Sequence, residues 1–308
     1  MKYEIEKTDA GQEPAGMLRN NTGRAVWING FPLLCIFLFV TLILEPLTVQ
    51  AQQNDRDSIT PAYSIPVGER LVYSLYWDPP WYLFFFPNMH AGDAELQIVG
   101  DTEYKGQRVL KIDFKVYSSG MLAKLSGMKI EDEFTFLAEP ETFCTLQASK
   151  RIREGKRKRQ IDVEYLRETR QLHIREYDES VTPPELKKDD LKEEIPSCVQ
   201  DPLSALYFLR RFPLHPDFKH KSIVGHDDVV KEIESRVEKL DALEATSGNV
   251  PAWRLKTVAL MGGLFKKGGQ FKIWLSADDR QVPLQFEVKV SLGRVLGKLE
   301  EAGSQDPE

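Results

Sequence analysis

The sequence predicts an all-β protein, mainly antiparallel. A large curved sheet forms a barrel or half-barrel from two similar meanders, with one short helix between them. Three observations carry this expectation. Apolar and polar residues alternate with a period of two through much of residues 67–300. Gly- and Asp-containing turn signals separate the alternating runs. A single capped, helix-like stripe stands alone near the middle of the chain.

The N-terminal region is different in kind. Phe31 to Leu44 is an apolar run broken only by Thr41, preceded by Arg19 and Arg24 and followed by Val49-Gln50-Ala51. A charged flank, a short apolar stretch and a small-x-small site make residues 1–51 a secretory signal peptide. The run is shorter than the ~20 apolar residues that span a bilayer, so an uncleaved anchor is the lesser alternative. Residues 52–66, polar and with two prolines, form a flexible lead-in.

Residues 67–300 read as a single β domain with halves 67–178 and 222–300. In the first half Leu110, Ile112, Phe114 and Val116 alternate with Lys111, Asp113 and Lys115; in the second, Val282, Leu284, Phe286, Val288 and Val290 alternate with Gln285, Glu287 and Lys289. One wet face and one apolar face is the pattern of antiparallel sheets. Shorter runs read alike: Leu71–Trp77, Ala94–Val99, Phe134–Leu137, Ile161–Tyr165, Phe271–Leu275 and Arg294–Leu299. Asp201 caps the helix, Pro202 opens it, Leu203, Leu206, Tyr207 and Leu209 give its apolar stripe, and Pro213 stops it. With the charged run ELKKDDLKEE before it, residues 179–221 are expected to be linker and helix, and residues 301–308 a disordered tail.

A faint repeat sets Phe136-Leu137 against Trp274-Leu275 and Leu146-Gln147 against Leu284-Gln285. Two meanders joined in this way must curl to hide their apolar face, and a barrel of more than eight strands has room for a ligand.

Composition excludes several classes. The chain has 308 residues, 42% hydrophobic and 29% charged, with net charge −6; this is a folded protein with no global basic field for nucleic acid. Its three cysteines form no metal or redox motif. Cys35 lies within the signal segment, which leaves Cys144 and Cys198 to form a bridge or to remain buried thiols.

Val67-Gly68-Glu69-Arg70-Leu71, Lys150-Arg151-Ile152-Arg153-Glu154-Gly155, Gln200-Asp201-Pro202-Leu203-Ser204-Ala205-Leu206-Tyr207 and Ile273-Trp274-Leu275-Ser276 occur in this order. Together they resemble the bacterial domain-of-unknown-function family 3108 across residues 64–300. The resemblance implies an exported, mostly β envelope protein with no assigned reaction. A weaker similarity is to the LolA/LolB lipoprotein carriers. The aromatic segment after Trp77 departs from the family pattern.

Two segments are candidate contacts. Trp77, Trp81, Tyr82, Phe84, Phe85 and Phe86 form an aromatic stretch flanked by prolines, expected as a loop or one-turn helix that either plugs the core or stands at a ligand or membrane surface. Lys150, Arg151, Arg153, Lys156, Arg157, Lys158 and Arg159 form a basic hairpin able to meet an anionic surface or simply to be solvated. His215, His220 and His226 with Asp217, Asp227 and Asp228 fall in irregular chain, so no metal site is expected; Gly262–Gly269 reads as a hairpin tip, not a phosphate loop. No cofactor and no catalytic residue is expected. The function expected is a noncatalytic module of the bacterial periplasm or cell envelope, with a lipid, a lipoprotein-like ligand, an envelope protein or the membrane surface as partner. A filled-core scaffold and an enzyme with a cryptic site are the alternatives.

Overall fold

The computed structural model describes residues 63–83, 85, 87–120, 129–245, 248–258, 270–290 and 293–304. The expected signal segment, most of the lead-in, Phe84, Phe86 and the Gly262–Gly269 turn lie outside these residues.

Fourteen strands form one antiparallel sheet. The first eight are β1 (Glu69–Asp78), β2 (Met89–Tyr104), β3 (Gln107–Ser118), β4 (Glu131–Ala138), β5 (Thr145–Glu154), β6 (Arg157–Leu166), β7 (Gln171–Asp178) and β8 (Glu185–Lys192). The helix α1 (Pro202–Leu209) follows, then β9 (Lys219–His226), β10 (Val229–Ala245), β11 (Gly248–Val258), β12 (Gln270–Ser276), β13 (Pro283–Lys289) and β14 (Arg294–Ser304). Every strand pairs with its neighbour in sequence except β8 with β9, and β1 pairs with β14. The first and last strands are therefore joined in register, Leu75 opposite Gly297. The sheet is not closed: its one seam lies between β8 and β9.

Alternation explains which face is inside. On β1, Leu71, Tyr73 and Leu75 are buried while Arg70, Val72 and Ser74 are partly exposed. The main core gathers such residues from β1 to β7, among them Ile98, Ile112, Phe136, Val163 and Leu172, and takes Tyr207 from α1. A smaller core under β10 to β12 holds Val237, Leu255, Ile273 and Leu275 with Leu209, Phe212 and Phe218. Each fully buried Leu or Ile contributes roughly 1.5–3 kcal/mol. The helix thus joins two cores and fills much of the space that the sheet encloses.

Several boundaries differ from the sequence expectation. The run 185–192, expected as linker, is β8, paired with β7 from Asp178–Glu185 to Leu172–Lys192. Its inward positions, Lys188, Asp190 and Lys192, are charged, so no apolar alternation marks it. The two lysines meet Asp228 across the seam: Lys188 Nζ lies 2.8 Å from Asp228 Oδ2 and Lys192 Nζ donates to the Asp228 carbonyl at 3.0 Å. Strand β9 begins at Lys219, inside the expected linker, and β14 extends into the expected tail to Ser304 because Glu301, Ala302, Gly303 and Ser304 pair with β1. The last residues of the lead-in are docked: Tyr63 N donates to the Arg211 carbonyl at 3.1 Å and Ile65 packs on the main core.

The repeat aligns strands but not faces throughout. Leu284 packs on the main core, Phe136 belongs to it, and Leu146 is buried. Trp274 lies on the opposite face from Ile273 and Leu275, where its Nε1 donates to Asp241 Oδ2 at 2.9 Å. A one-residue slip exchanges the faces of a strand.

Candidate functional site

Asp201 sets the helix that builds the site. Its Oδ1 accepts from the Leu203 and Ser204 backbone N–H groups at 2.8 and 3.0 Å, and its Oδ2 accepts from Thr145 Oγ1 at 2.8 Å and from the Ser204 hydroxyl. Burial raises the Asp201 pKa, and these four donors hold the increase down. The cap therefore ties α1 to β5 as well as satisfying its first turn.

Arg210 anchors the other end. Its guanidinium, with no exposed surface, forms a bidentate pair with Glu69 of β1 at 2.6 and 2.7 Å, and its Nε donates to the Gln281 carbonyl at 2.9 Å. Gln281 Nε2 returns two bonds, to the Arg210 and Phe212 carbonyls at 2.8 and 2.7 Å. Burial would lower the Arg210 pKa, but the hydrogen bonds and charge of Glu69 raise it, so the guanidinium stays protonated. The helix is fixed at both ends to opposite parts of the sheet.

The two long faces of α1 differ. Tyr207 packs against the first half, its ring stacked on Phe143 with centroids 6.4 Å apart. Leu203, Leu206 and Leu209 face the second half, where a cleft of about 90 Å³ separates them from Val224, Ile233, Leu255 and Ile273 on β9 to β12. Among the described residues its polar lining side chains are the hydroxyls of Ser222, Ser235 and Thr257, and no charged residue lines it. An apolar group fits such a space, with a hydroxyl available to orient a polar end. The volume is below the ~150 Å³ that accommodates benzene in an engineered cavity, so the cleft takes the end of a chain unless α1 shifts.

The aromatic stretch lies elsewhere. Trp81–Leu83 forms a single 3-10 turn after Pro79-Pro80 with no buried residue. Trp81 is 86% exposed, Tyr82 52% and Phe85 64%, so the plug expectation fails for these three. Trp77 is partly buried within β1, opposite Met89. None of these four lines the cleft.

The basic hairpin divides. Lys150 is corrected outright: its side chain is 4% exposed and turned inward, with Nζ 2.6 Å from Asp227 Oδ1 and 3.1 Å from His226 Nδ1. It shares inward parity with Ala148 and Ile152, so it cannot reach an external surface. Arg151 pairs with Glu133 at 3.2 Å, Arg153 with Glu179 at 2.5 Å and Arg159 with Glu176 at 3.1 Å. Lys156, Arg157 and Lys158 remain exposed at the turn.

Cys144 and Cys198 are joined as a disulfide with Cα atoms 5.2 Å apart, pinning the start of β5 to the segment that leads into α1. Among the histidines, His220 packs between Phe208 and Phe212, with centroids at 5.6 and 5.2 Å, and burial lowers its pKa. Among the described residues no group of three metal-ligating side chains forms.

One cluster escaped the sequence reading. Ser119 Oγ donates to Asp93 Oδ2 at 2.8 Å, His90 Nε2 lies 3.2 Å from Asp93 Oδ1, and His90 Nδ1 lies 3.4 Å from Ser119 Oγ. The serine proton points to the carboxylate, not to the imidazole, so this is not a nucleophile–base relay. His90 and Asp93 stand three residues apart on β2, and the pairing of β2 with β3 brings Ser119, just past the end of β3, to them.

Comparison with known proteins fits this architecture. A search of curated proteins returned no match. Among solved structures, the chain is similar to a beta-barrel-like protein of domain of unknown function DUF1849 from Brucella abortus, with a TM-score of 0.53 and 11% identity over 80% of this chain and 100% of the other. That likeness concerns the fold alone. The family described as "Protein of unknown function (DUF3108)" matches residues 72–300, from within β1 to within β14. The chain belongs to the DUF3108 family of proteins of unknown function.

Proposed function

We propose that this protein is a noncatalytic, exported cell-envelope module that binds the apolar part of an amphiphilic ligand in the cleft beneath α1. The observation that carries the reading is the composition of that cleft: among the described residues, apolar walls from four strands and the helix, three hydroxyls and no charged side chain. Such a lining favours a chain end or ring and offers nothing to an ionic substrate. Export is supported by the apolar run with its small-x-small site and by the Cys144–Cys198 bridge, which suits an oxidising compartment.

The test uses a fluorescent fatty acid whose hydrocarbon end is free, cis-parinaric acid. Saturable one-site binding is expected, weakened at least tenfold by Leu206→Trp, which fills the cleft from the helix side. A parent protein with no saturable binding would leave the second reading, a filled-core scaffold. The extent of the main core, which occupies the space inside β1 to β7, favours that reading.

A further inference from the structure

We infer that one rim of the sheet docks on an anionic lipid membrane. The sheet is an up-and-down meander, so the described residues of the β1–β2, β5–β6, β7–β8, β9–β10 and β13–β14 connections all lie at the same end. On the first of these stand Trp81, Tyr82 and Phe85, at 86%, 52% and 64% exposure. Val181, at 45%, adds a further apolar side chain from the β7–β8 connection. Large exposed side chains gathered at one rim form the kind of patch that a soluble surface rarely carries without use. Trp and Tyr together suit the headgroup level of a bilayer, and Phe suits the acyl boundary beneath it.

Charge complementarity selects the lipid. At the same end, the β5–β6 turn presents Lys156, Arg157 and Lys158 to solvent. In a protein of net charge −6 this is a local inversion of sign. Four strand spacings separate this turn from the aromatic one, roughly 19 Å along the sheet, so both can meet one plane. The acids Asp227, Asp228 and Glu179 at this end are each paired with a cation, Lys150, Lys188 and Arg153.

The aromatic turn is braced for this role. Gly293, at φ +87°, brings the β13–β14 connection so close that a Cβ there would lie 2.2 Å from the Asp78 carbonyl. Arg294 pairs with the Asp78 carboxylate beside it. The base of the turn is held by the neighbouring hairpin while its rings remain outside.

The surface is separate from the cleft and is tested separately, with vesicles and no fatty acid. The protein isolated from its host is mixed with vesicles of phosphatidylglycerol and phosphatidylethanolamine, some carrying acyl-brominated lipid. Quenching that disappears in Trp81→Phe is expected, because the bromine must lie near that indole. Replacing Lys156, Arg157 and Lys158 with Gln should lower affinity for these vesicles at least tenfold with an unchanged melting temperature. Each basic residue near an anionic surface contributes about fivefold. Quenching indifferent to Trp81, or affinity unchanged in the triple variant, overturns the inference. So does Trp81-dependent self-association without vesicles, which would assign the patch to a second copy of the chain.

Discussion

Lys150 Nζ on β5 lies 2.6 Å from Asp227 Oδ1 in the turn between β9 and β10. The pair spans the interior from the first meander to the second. On the other side of that turn, Lys188 and Lys192 of β8 hold Asp228. Three lysines from two strands therefore grip one turn, and that grip draws the two free edges of the sheet together. The backbone adds to it: Gln200 N donates to the Ile223 carbonyl and Gly225 N to the Gln200 carbonyl, at 2.9 and 2.8 Å.

Replacing Lys150 with Met should destabilise the fold by about 3–5 kcal/mol, because it leaves the half-buried Asp227 carboxylate without its cation. The double variant Lys150→Met with Asp227→Leu should recover most of the loss. Urea unfolding of both variants measures this, and additive losses would show that the pair does not act as a unit.

The same turn predicts acid sensitivity. Burial first, and the Lys150 charge second, push the His226 pKa down to about 4. In the unfolded chain it titrates near 6.5. Between about 6.5 and about 4 the unfolded state takes up a proton that the folded state refuses. Stability is thus fully present above the unfolded value and is lost as pH falls through this window, by at most about 3 kcal/mol. Asp227 and Asp228 act in the same direction at lower pH. Burial works against ionised Asp227 but lysine contact wins, hydrogen bonding from Lys188 favours ionised Asp228, and both pKa values are lowered. His226→Asn should flatten the stability profile between pH 6.5 and 4; an unchanged slope would refute the assignment.

Gly225 should not tolerate Ala. A Cβ there would lie 2.6 Å from the Tyr165 hydroxyl and 2.7 Å from Val199 Cγ1, and Tyr165 is buried and cannot retreat. A loss of about 1–3 kcal/mol is expected from overpacking, read as a lower urea midpoint at constant m-value.

Arg210→Met should cost about 3–5 kcal/mol, since it strands the buried Glu69 carboxylate. Pairing it with Glu69→Met should restore much of that, with recovery of the melting temperature as the measurement.

The Cys144–Cys198 bridge closes a loop with a sequence separation of 54. On the chain-entropy account its removal costs about 4 kcal/mol. Protein denatured without reductant should show no thiol from this pair, and Cys144→Ser/Cys198→Ser should unfold at markedly lower urea.

Legibility in the sequence followed the strength of local patterns. Strands with one apolar face, such as β3 and β13, announced themselves through alternation, and α1 through Asp201, Pro202 and Pro213. Strand β8 did not, because its inward side chains, Lys188, Asp190 and Lys192, are charged, and the lysines' partner Asp228 is 36 residues or more away. Lys150 read as one of seven surface cations because composition carries no parity; alternation with Ala148 and Ile152 was the signal available.

By itself the sequence determined the all-β class, the helix α1 with its start and stop, and the position of most turns, because each depends on neighbours within a few residues. The cleft was decided only by tertiary structure. Its walls come from α1 and four strands spread over residues 202–273, and what leaves space between them is the anchoring of α1 to Thr145 at one end and to Glu69 and Gln281 at the other. The exposure of Trp81, Tyr82 and Phe85 was likewise undecided, since apolar side chains favour burial wherever the chain can reach a core. The two prolines before the turn and the hairpin braced against its base fix these rings outside it.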